Sequence, residues 1–464
     1  MSRTVDVAII GAGTAGLTAF RQVRQVTTNV VLINDGPYGT TCARVGCMPS
    51  KVLIEVAKKF SRRQHFQQFG IQHSEHLTID HSQVMQHVRS LRDWFVARVM
   101  DSVDKIGESN ISGRARFIEP QVLEVNGEKI HAHKVIIATG SRPIVPLDWY
   151  AFGDRIVTTD QFFELADLPD SIAIIGLGTI GSEIGQSLAR LGIKVIGIEQ
   201  QNQVCGLTDP AVNQVAINEF SQEFELWLGT SAQLSKADSG RIQVTTTDGR
   251  SVTVAKILAA LGRRPNIDNL GLEVFGLDLS QGLNQLINPH TMQLGDLPIF
   301  VAGDVASLRP ILHEVADEGA IAGYNAARST MTAFKRRVPF RIAFTDPQVV
   351  IVGATFAELA GQDIVVGERS FVVQGRTKVM ARTHGHLRVY TDRQGRLLGT
   401  EMMIPDGEYV GHFLALAMEQ NLTVQDIMLT PFYHPTVMEG LENALSAIVT
   451  QLGGEVGGLS LRKI

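Results

Sequence analysis

The first 34 residues hold two short apolar runs, VDVAII (5–10), interrupted only by Asp6, and VVLI (30–33), separated by a glycine-containing turn and residues at helical spacing. Runs of that length without alternation suit strands buried on both faces. The same text returns further on. Within VDVAIIGAGTAGLTAFRQVRQVTTNVVLIN (5–34), residues 6–34 align without gaps on SIAIIGLGTIGSEIGQSLARLGIKVIGIE (171–199), Gly11 falling on Gly176. Each copy predicts a strand, a turn, a helix and a second parallel strand. Three later apolar runs end in punctuation: KVIIATGSRP (134–143), KILAALGRRPN (256–266) and PIFVAGDVA (298–306). Beyond Arg337 the pattern becomes mixed and closes on helical ALSAIVTQL. The expected architecture is α/β, with two Rossmann-like doubly wound nucleotide-binding domains and a C-terminal α+β domain. Its expected boundaries are 1–143, 144–265, a return to the first domain at 266–337, and 338–464.

Both turns carry G-x-G-x-x-G, as Gly11, Gly13 and Gly16 and as Gly176, Gly178 and Gly181. The first glycine turns the chain, the second lets backbone approach a pyrophosphate, and the third lets helix and strand pack closely. The phosphates then rest on a helix N-terminus, whose unpaired N–H groups favour negative charge. A single such motif is weak, since a tight turn without ligand reads the same way; two copies in strand-turn-helix context predict two dinucleotides. The residue ending the second strand receives the ribose hydroxyls. In the second copy it is Glu199, followed by Gln200, Gln201 and Asn202 with no arginine for a 2′-phosphate, which predicts NAD rather than NADP. In the first copy Asn34 stands there with Asp35 beside it, a departure from the usual acid. Asp304, delivered by a buried strand after Gly303, is placed to hold a polyol hydroxyl.

Composition removes other classes of function. Of 464 residues, 44% are hydrophobic and 19% charged, as in ordinary globular chains, and the net charge of −5 leaves no basic field for nucleic acid or anionic membrane. No apolar run approaches a membrane span, and no export signal is read, so the expectation is a cytoplasmic protein. Two of only three cysteines, Cys42 and Cys47, lie five positions apart in TTCARVGCMPSK. In a reducing compartment a close pair is metal-binding or redox-active. Zinc needs three or four ligands, and no second pair stands nearby; a redox disulfide is favoured over zinc and over inert thiols. The third, Cys205, reads as a structural thiol. Late in the chain, His434 precedes Pro435, and Glu439 starts a helix from which it can hold the imidazole in one tautomer, the arrangement of a general acid–base.

Taken together, the first G-x-G-x-x-G, C-x₄-C-M-P-S-K, ATG, the second G-x-G-x-x-G, AGD and HPTVME resemble the pyridine nucleotide–disulfide oxidoreductases over essentially the whole chain. Within that family Pro49-Ser50-Lys51 is similar to dihydrolipoamide dehydrogenase. The resemblance implies FAD on the first unit, with Gly11, Gly13, Gly16, Asn34, Asp35, Thr41, Lys51, Ala115, Thr139, Gly140, Gly303 and Asp304 around it. It implies NAD(H) on the second, with Gly176, Gly178, Gly181, Glu199 and Gly262. It implies a homodimer built through the C-terminal domain, Cys47 against the flavin, Cys42 facing a dithiol or disulfide substrate such as a lipoyl group, Lys51 paired with Glu183, and His434 reaching Cys42 across the interface. Arg44 adds a cation between the thiols where the family has none. Two other readings stand beside it: an NADH-dependent flavin reductase of quinones, metal ions or peroxides, and a redox-sensing flavoprotein with little turnover.

Overall fold

In a computed structural model, which describes residues 2–238, 240–454 and 461, the apolar runs at 5–10 and 30–34 are neighbouring parallel strands. Strand Ser2–Ile10 pairs with Val30–Asn34 on one side, in register from Val7↔Val30 to Ile10↔Ile33, and with Glu128–Ile137 on the other. The runs lack polar–apolar alternation beyond Asp6 because both of their faces are covered: Ile9, Leu32 and Ile33 are wholly buried, each contributing about 1.5–3 kcal/mol.

The chain forms two compact units. The first comprises Met1–Pro49, Val88–Ile144 and Gly262–Arg337. Its seven-stranded sheet runs in the order Asn110–Ser112, Val30–Asn34, Ser2–Ile10, Glu128–Ile137, Val122–Val125, Ala115–Glu119. Ile299–Val301 pairs with the C-terminal half of the long strand Glu128–Ile137. The helix Thr14–Val23 lies against Leu312–Ala326. A small ribbon, Ser141–Pro143 with Arg263–Pro265, closes the end of this unit.

The second unit comprises Ser50–His87, Val145–Leu261 and Val338–Ile464. It holds a five-stranded parallel sheet in the order Glu225–Trp227, Lys194–Ile198, Ser171–Ile175, Lys256–Ala259, Ile156–Val157, with an antiparallel meander from Ala232 to Val254. The mixed text beyond Arg337 is a five-stranded antiparallel sheet in the order Phe340–Ala343, Gln348–Gly353, Leu397–Ile404, His386–Thr391, Val365–Ser370. Helices Gly407–Glu419 and Met438–Gln451 pack on it over a separate apolar core. Two Rossmann-like parallel sheets and a C-terminal α+β region are therefore present as expected. Among the described residues no helix is long and apolar enough to cross a membrane.

Candidate active site

Each glycine-rich turn is shaped by close backbone approach. Gly11 has φ +110°, and a Cβ there would lie 2.2 Å from the Ala138 carbonyl oxygen; a Cβ on Gly16 would lie 1.8 Å from the Gly11 oxygen. Neither position admits a side chain. Gly13 differs, because a Cβ there would meet nothing within 4 Å. Open space thus stands before the N-terminus of helix Thr14–Val23, where backbone N–H groups have no intrahelical acceptor. The second turn repeats this: Gly176 and Gly181 are closed by Ala260 and Gly176 oxygens at 2.3 and 1.9 Å, and Gly178 is open. Both cradles fit a pyrophosphate group.

Asn34 does in the first cradle what Glu199 does in the second. The Asn34 Oδ1 accepts from the Ala12 N–H at 3.1 Å while its Nδ2 donates to the Gly36 carbonyl at 2.8 Å. Glu199 Oε2 accepts from the Leu177 N–H at 2.7 Å, and its Oε1 from the Gln201 N–H at 3.1 Å. In both copies the strand-end side chain ties down the residue after the first glycine, so an amide replaces the carboxylate without losing that bond. Asp35 is exposed and lies 3.6 Å from the Arg114 guanidinium.

Other expected residues of the first cradle fall in the same unit, except Lys51, which falls in the second. Thr139 Oγ1 donates to the Asn266 carbonyl at 2.7 Å, and Gly140 takes φ +69° beside it. Asp304 accepts from the Ser141 hydroxyl at 2.7 Å and lies 3.9 Å from Arg263. The Gly303 N–H donates to Glu318 at 2.9 Å. Ala115 is a buried strand residue and Thr41 an exposed one opening the helix Thr41–Val45. Gly262 is the first residue of a segment of the first unit, and the other glycines assigned with it belong to the second.

The two thiols sit on consecutive helices. Cys42 is half-buried in Thr41–Val45, and Cys47, exposed, is the first residue of Cys47–Ser61. Gly46 between them allows the return: a Cβ there would lie 3.2 Å from the Cys42 Cα and 3.0 Å from the Thr41 oxygen. A sulfur at a helix N-terminus is favoured as thiolate by the N–H groups and the dipole. Cys205 is the opposite case: burial pushes its thiol up to about 12, and it has no reactive character.

One turn along the thiol helix, Lys51 Nζ donates to both Glu183 oxygens at 2.9 Å. Glu183 is 3% exposed and also accepts from the Phe344 N–H at 2.8 Å, while the ammonium stands 4.8 Å from the Phe344 ring centroid. A buried carboxylate with two donors and a cation is satisfied; it is also fixed in position.

His434 and Glu439 meet as expected. The imidazole Nδ1 lies 2.8 Å from Glu439 Oε1, and Glu439 Oε2 accepts from the Thr436 N–H at 2.9 Å. The hydrogen bond from His434, with that from Thr436, holds the Glu439 carboxyl below its ordinary range. The ionised carboxylate keeps the proton on Nδ1, leaving Nε2 as the basic nitrogen. The His434 side chain is 81% exposed.

Ser141, Arg263 and Glu318 around Asp304, and Phe344 beside Lys51, were not legible as site residues. They lie far in sequence from the groups they hold, and although Ser141 and Arg263 fall within the stretches KVIIATGSRP and KILAALGRRPN, nothing in those stretches pointed to Asp304. An exposed turn also gathers His73, Glu75 and His76 with ligand atoms within 4.8 Å of one another.

Residues 5–329 match the family model for pyridine nucleotide-disulphide oxidoreductases, and residues 339–445 match the dimerisation domain of the same family. The dihydrolipoyl dehydrogenase of Thermus scotoductus is 30% identical over 97% of this chain and 98% of its own, and that of Halobacterium salinarum is 30% identical over the same shares. In fold, the chain is similar to the Cu(II) complex of the HOCl-induced flavoprotein disulfide reductase RclA from Escherichia coli, with a TM-score of 0.83 at 22% identity over 96% of this chain and 100% of the other. It is equally similar to LpdA from Mycobacterium tuberculosis, with a TM-score of 0.83 at 23% identity over 95% and 99%. The chain therefore belongs to the pyridine nucleotide–disulphide oxidoreductases, as an FAD-dependent enzyme that passes electrons between NAD(H) and a disulfide.

Proposed function

We propose that the substrate is a lipoyl group, oxidised from the dithiol with NAD⁺ as acceptor, and that the protein works as a homodimer in which His434 of one protomer serves the thiols of its partner. The observation that carries this reading is the His434–Glu439 pair: an imidazole fixed by a half-buried carboxylate yet 81% exposed, within the dimerisation domain. An oriented base with no substrate group of its own beside it fits completion by a second copy. The full-length likeness to dihydrolipoyl dehydrogenases supports the choice of dithiol.

In this mechanism His434 Nε2 takes the proton of a substrate thiol, and the thiolate attacks Cys42 Sγ. The Cys42–Cys47 bond breaks, a mixed disulfide forms, and Cys47 leaves as a thiolate stabilised at its helix N-terminus. The second substrate thiol attacks the substrate sulfur of the mixed disulfide and closes the ring. Cys42 departs with the electron pair and takes that thiol's proton, while the first proton stays on His434 Nε2, its charge balancing the Cys47 thiolate. FAD, held by the first cradle, carries two electrons between a dithiol and a nicotinamide. Lys51, fixed by Glu183, supplies a positive charge one turn from Cys47. Asp304, held by Ser141 and Arg263, presents an acceptor to a polyol chain.

NADH oxidation with lipoamide, glutathione disulfide and a quinone as competing acceptors tests the reading. Lipoamide is expected to give the highest kcat/KM; a preference for glutathione disulfide would reject the lipoyl assignment.

Two further outcomes follow from the cradles. The Glu199 carboxylate repels a 2′-phosphate, and Gln200, Gln201 and Asn202 offer no cation to replace the lost attraction, a contact worth about 1.5–3 kcal/mol. NADH is therefore expected to exceed NADPH at least about tenfold in kcat/KM, and equal values would contradict the assignment. In the first cradle, Gly13→Ala should fold normally and purify with little flavin, because its methyl enters open space meant for the pyrophosphate. Gly16→Ala should instead lower thermal stability by about 1–3 kcal/mol or more, since its methyl overlaps the Gly11 carbonyl. Absorbance of the two purified variants and their melting curves would show the opposite ordering if the cradle were misassigned.

A further inference from the structure

A pocket of about 430 Å³ lies in the second unit, among the end of the thiol helix and the turns after it, the last residue of helix Thr179–Arg190, and the segment 376–382. Eleven residues of helix separate Lys58 on its wall from Cys47, roughly 16 Å along the axis. The thiol exchange does not use it.

Its wall is unevenly charged. Lys58, Arg62, Arg190, Arg376 and Arg382 face two carboxylates, Asp346 and Asp406. Those two are already engaged: Asp346 bonds Arg190 and Arg382, and Asp406 bonds Arg382 at 2.8 Å. Arg190 is further held by Glu223 at 2.6 Å. The guanidinium pair around Asp346 drives that carboxyl down to about 2, against the cost of burial, so the network stays fully ionised near neutrality. Among the described residues, Lys58, Arg62 and Arg376 form no ion pair, and Lys58 is close enough for Asp346 to feel its charge. Arg382 Nε is buried and has no hydrogen-bond acceptor.

The remaining wall is apolar. Phe66 is half-buried, Phe69 is 54% exposed, and Met380 stands opposite in sequence on the other segment. Two wall residues that are not glycine, Ala381 at φ +52° and Asp406 at φ +55°, take the left-handed conformation, a strain that surrounding structure must maintain. Helix C-termini at Ser61 and Arg190 would repel an anion, and the basic residues at those same ends reverse the sign of the field.

We propose that this pocket binds a phosphorylated small molecule with a flat aromatic part, a nucleoside di- or triphosphate, at a site separate from both dinucleotide cradles. Phosphate oxygens meet Arg62, Arg376 and Lys58, and the base lies against Phe66 and Phe69. The inference does not depend on which disulfide the enzyme uses.

Guanosine diphosphate is the probe, titrated calorimetrically into FAD-loaded protein without and with NAD⁺, so that heat from the Glu199 cradle is told apart from heat at the pocket. One GDP per chain is expected, with affinity falling steeply as salt rises. The double variant Arg62→Ala/Arg376→Ala, altered at two exposed positions, should bind at least tenfold more weakly with an unchanged melting temperature; if it unfolds, Lys58→Ala carries the same expectation. Phe66→Ala should weaken GDP but leave inorganic tripolyphosphate unaffected. No binding heat, or equal GDP affinity in wild type and the charge variants, overturns the site. Equal loss of GDP and tripolyphosphate in Phe66→Ala overturns the nucleoside part of it.

Discussion

Cys42→Ser protein is expected to keep its fold and flavin and to lose lipoamide turnover to the background rate, while oxidation of NADH by a quinone persists. Disulfide exchange needs one sulfur to be attacked and a second to leave. A serine hydroxyl at position 42 offers the size of the thiol without a sulfur for the substrate to bond, and Cys47 then has no partner to leave. The substitution is mild structurally, since Cys42 is half-buried on a five-residue helix rather than in a core. Cys47→Ser should lose the same activity for the complementary reason. It removes a thiolate that the N-terminus of a fifteen-residue helix favours, an effect of about 0.3–1 kcal/mol at such positions. Quinone reduction distinguishes this from general damage, because electrons leaving for a quinone do not pass through sulfur. Stopped assays with lipoamide and with a quinone, run on both variants, decide the matter. Lipoamide turnover within tenfold of wild type in either variant would remove the thiol pair from the mechanism.

Local features of the site were legible and distant ones were not. The glycine turns could be read because each constraint, a strand, a bend and a helix N-terminus, acts within about thirty residues. The Cys42–Cys47 pair could be read for the same reason. Asn34 shows the boundary of such reading: as a residue type it departs from Glu199, yet the bond from the Ala12 N–H shows that its amide oxygen takes the same place. That equivalence is a matter of geometry, which residue identity alone does not carry. The Lys51–Glu183 pair joins positions 132 apart and was foreseen only through family resemblance. Ser141 and Arg263, which hold Asp304, stand in the stretches KVIIATGSRP and KILAALGRRPN, but residue identity there does not show that they meet Asp304. The C-terminal domain was read only as mixed text, and one of its interior strands explains why. Every residue of Gln348–Gly353 is buried, so the alternation that would have marked an antiparallel strand is missing.

His434→Gln is expected to leave fold and flavin intact and to reduce dithiol turnover by about 10²–10⁴-fold, the usual share of general acid–base catalysis. Glutamine keeps a polar group near Glu439 but cannot exchange a proton at neutral pH, so the substrate thiol, with an ordinary pKa near 8.5, must ionise unaided. Raising the pH should therefore rescue the variant partially, and the wild type should show no such gain. Glu439→Gln tests the orienting contact. The His434 hydrogen bond lowers the Glu439 pKa below its ordinary 4.5. Its stabilising contribution is thus complete above the unfolded value and is lost as pH falls through the lower folded one, so the pair is intact throughout the neutral range. In Glu439→Gln the imidazole loses that charge and its fixed tautomer, and the expected loss lies mainly in kcat rather than KM. Both residues are exposed or rim-placed, so neither change opens a cavity. Mixing inactive His434→Gln with inactive Cys42→Ser protein separates the dimer arrangement from a single-chain one. If His434 serves the partner's thiols, exchange of subunits creates heterodimers with one site carrying both intact residues, and up to half of the wild-type activity per heterodimer returns. If both residues act within one chain, each heterodimer site still lacks one of them, and the mixture stays inactive.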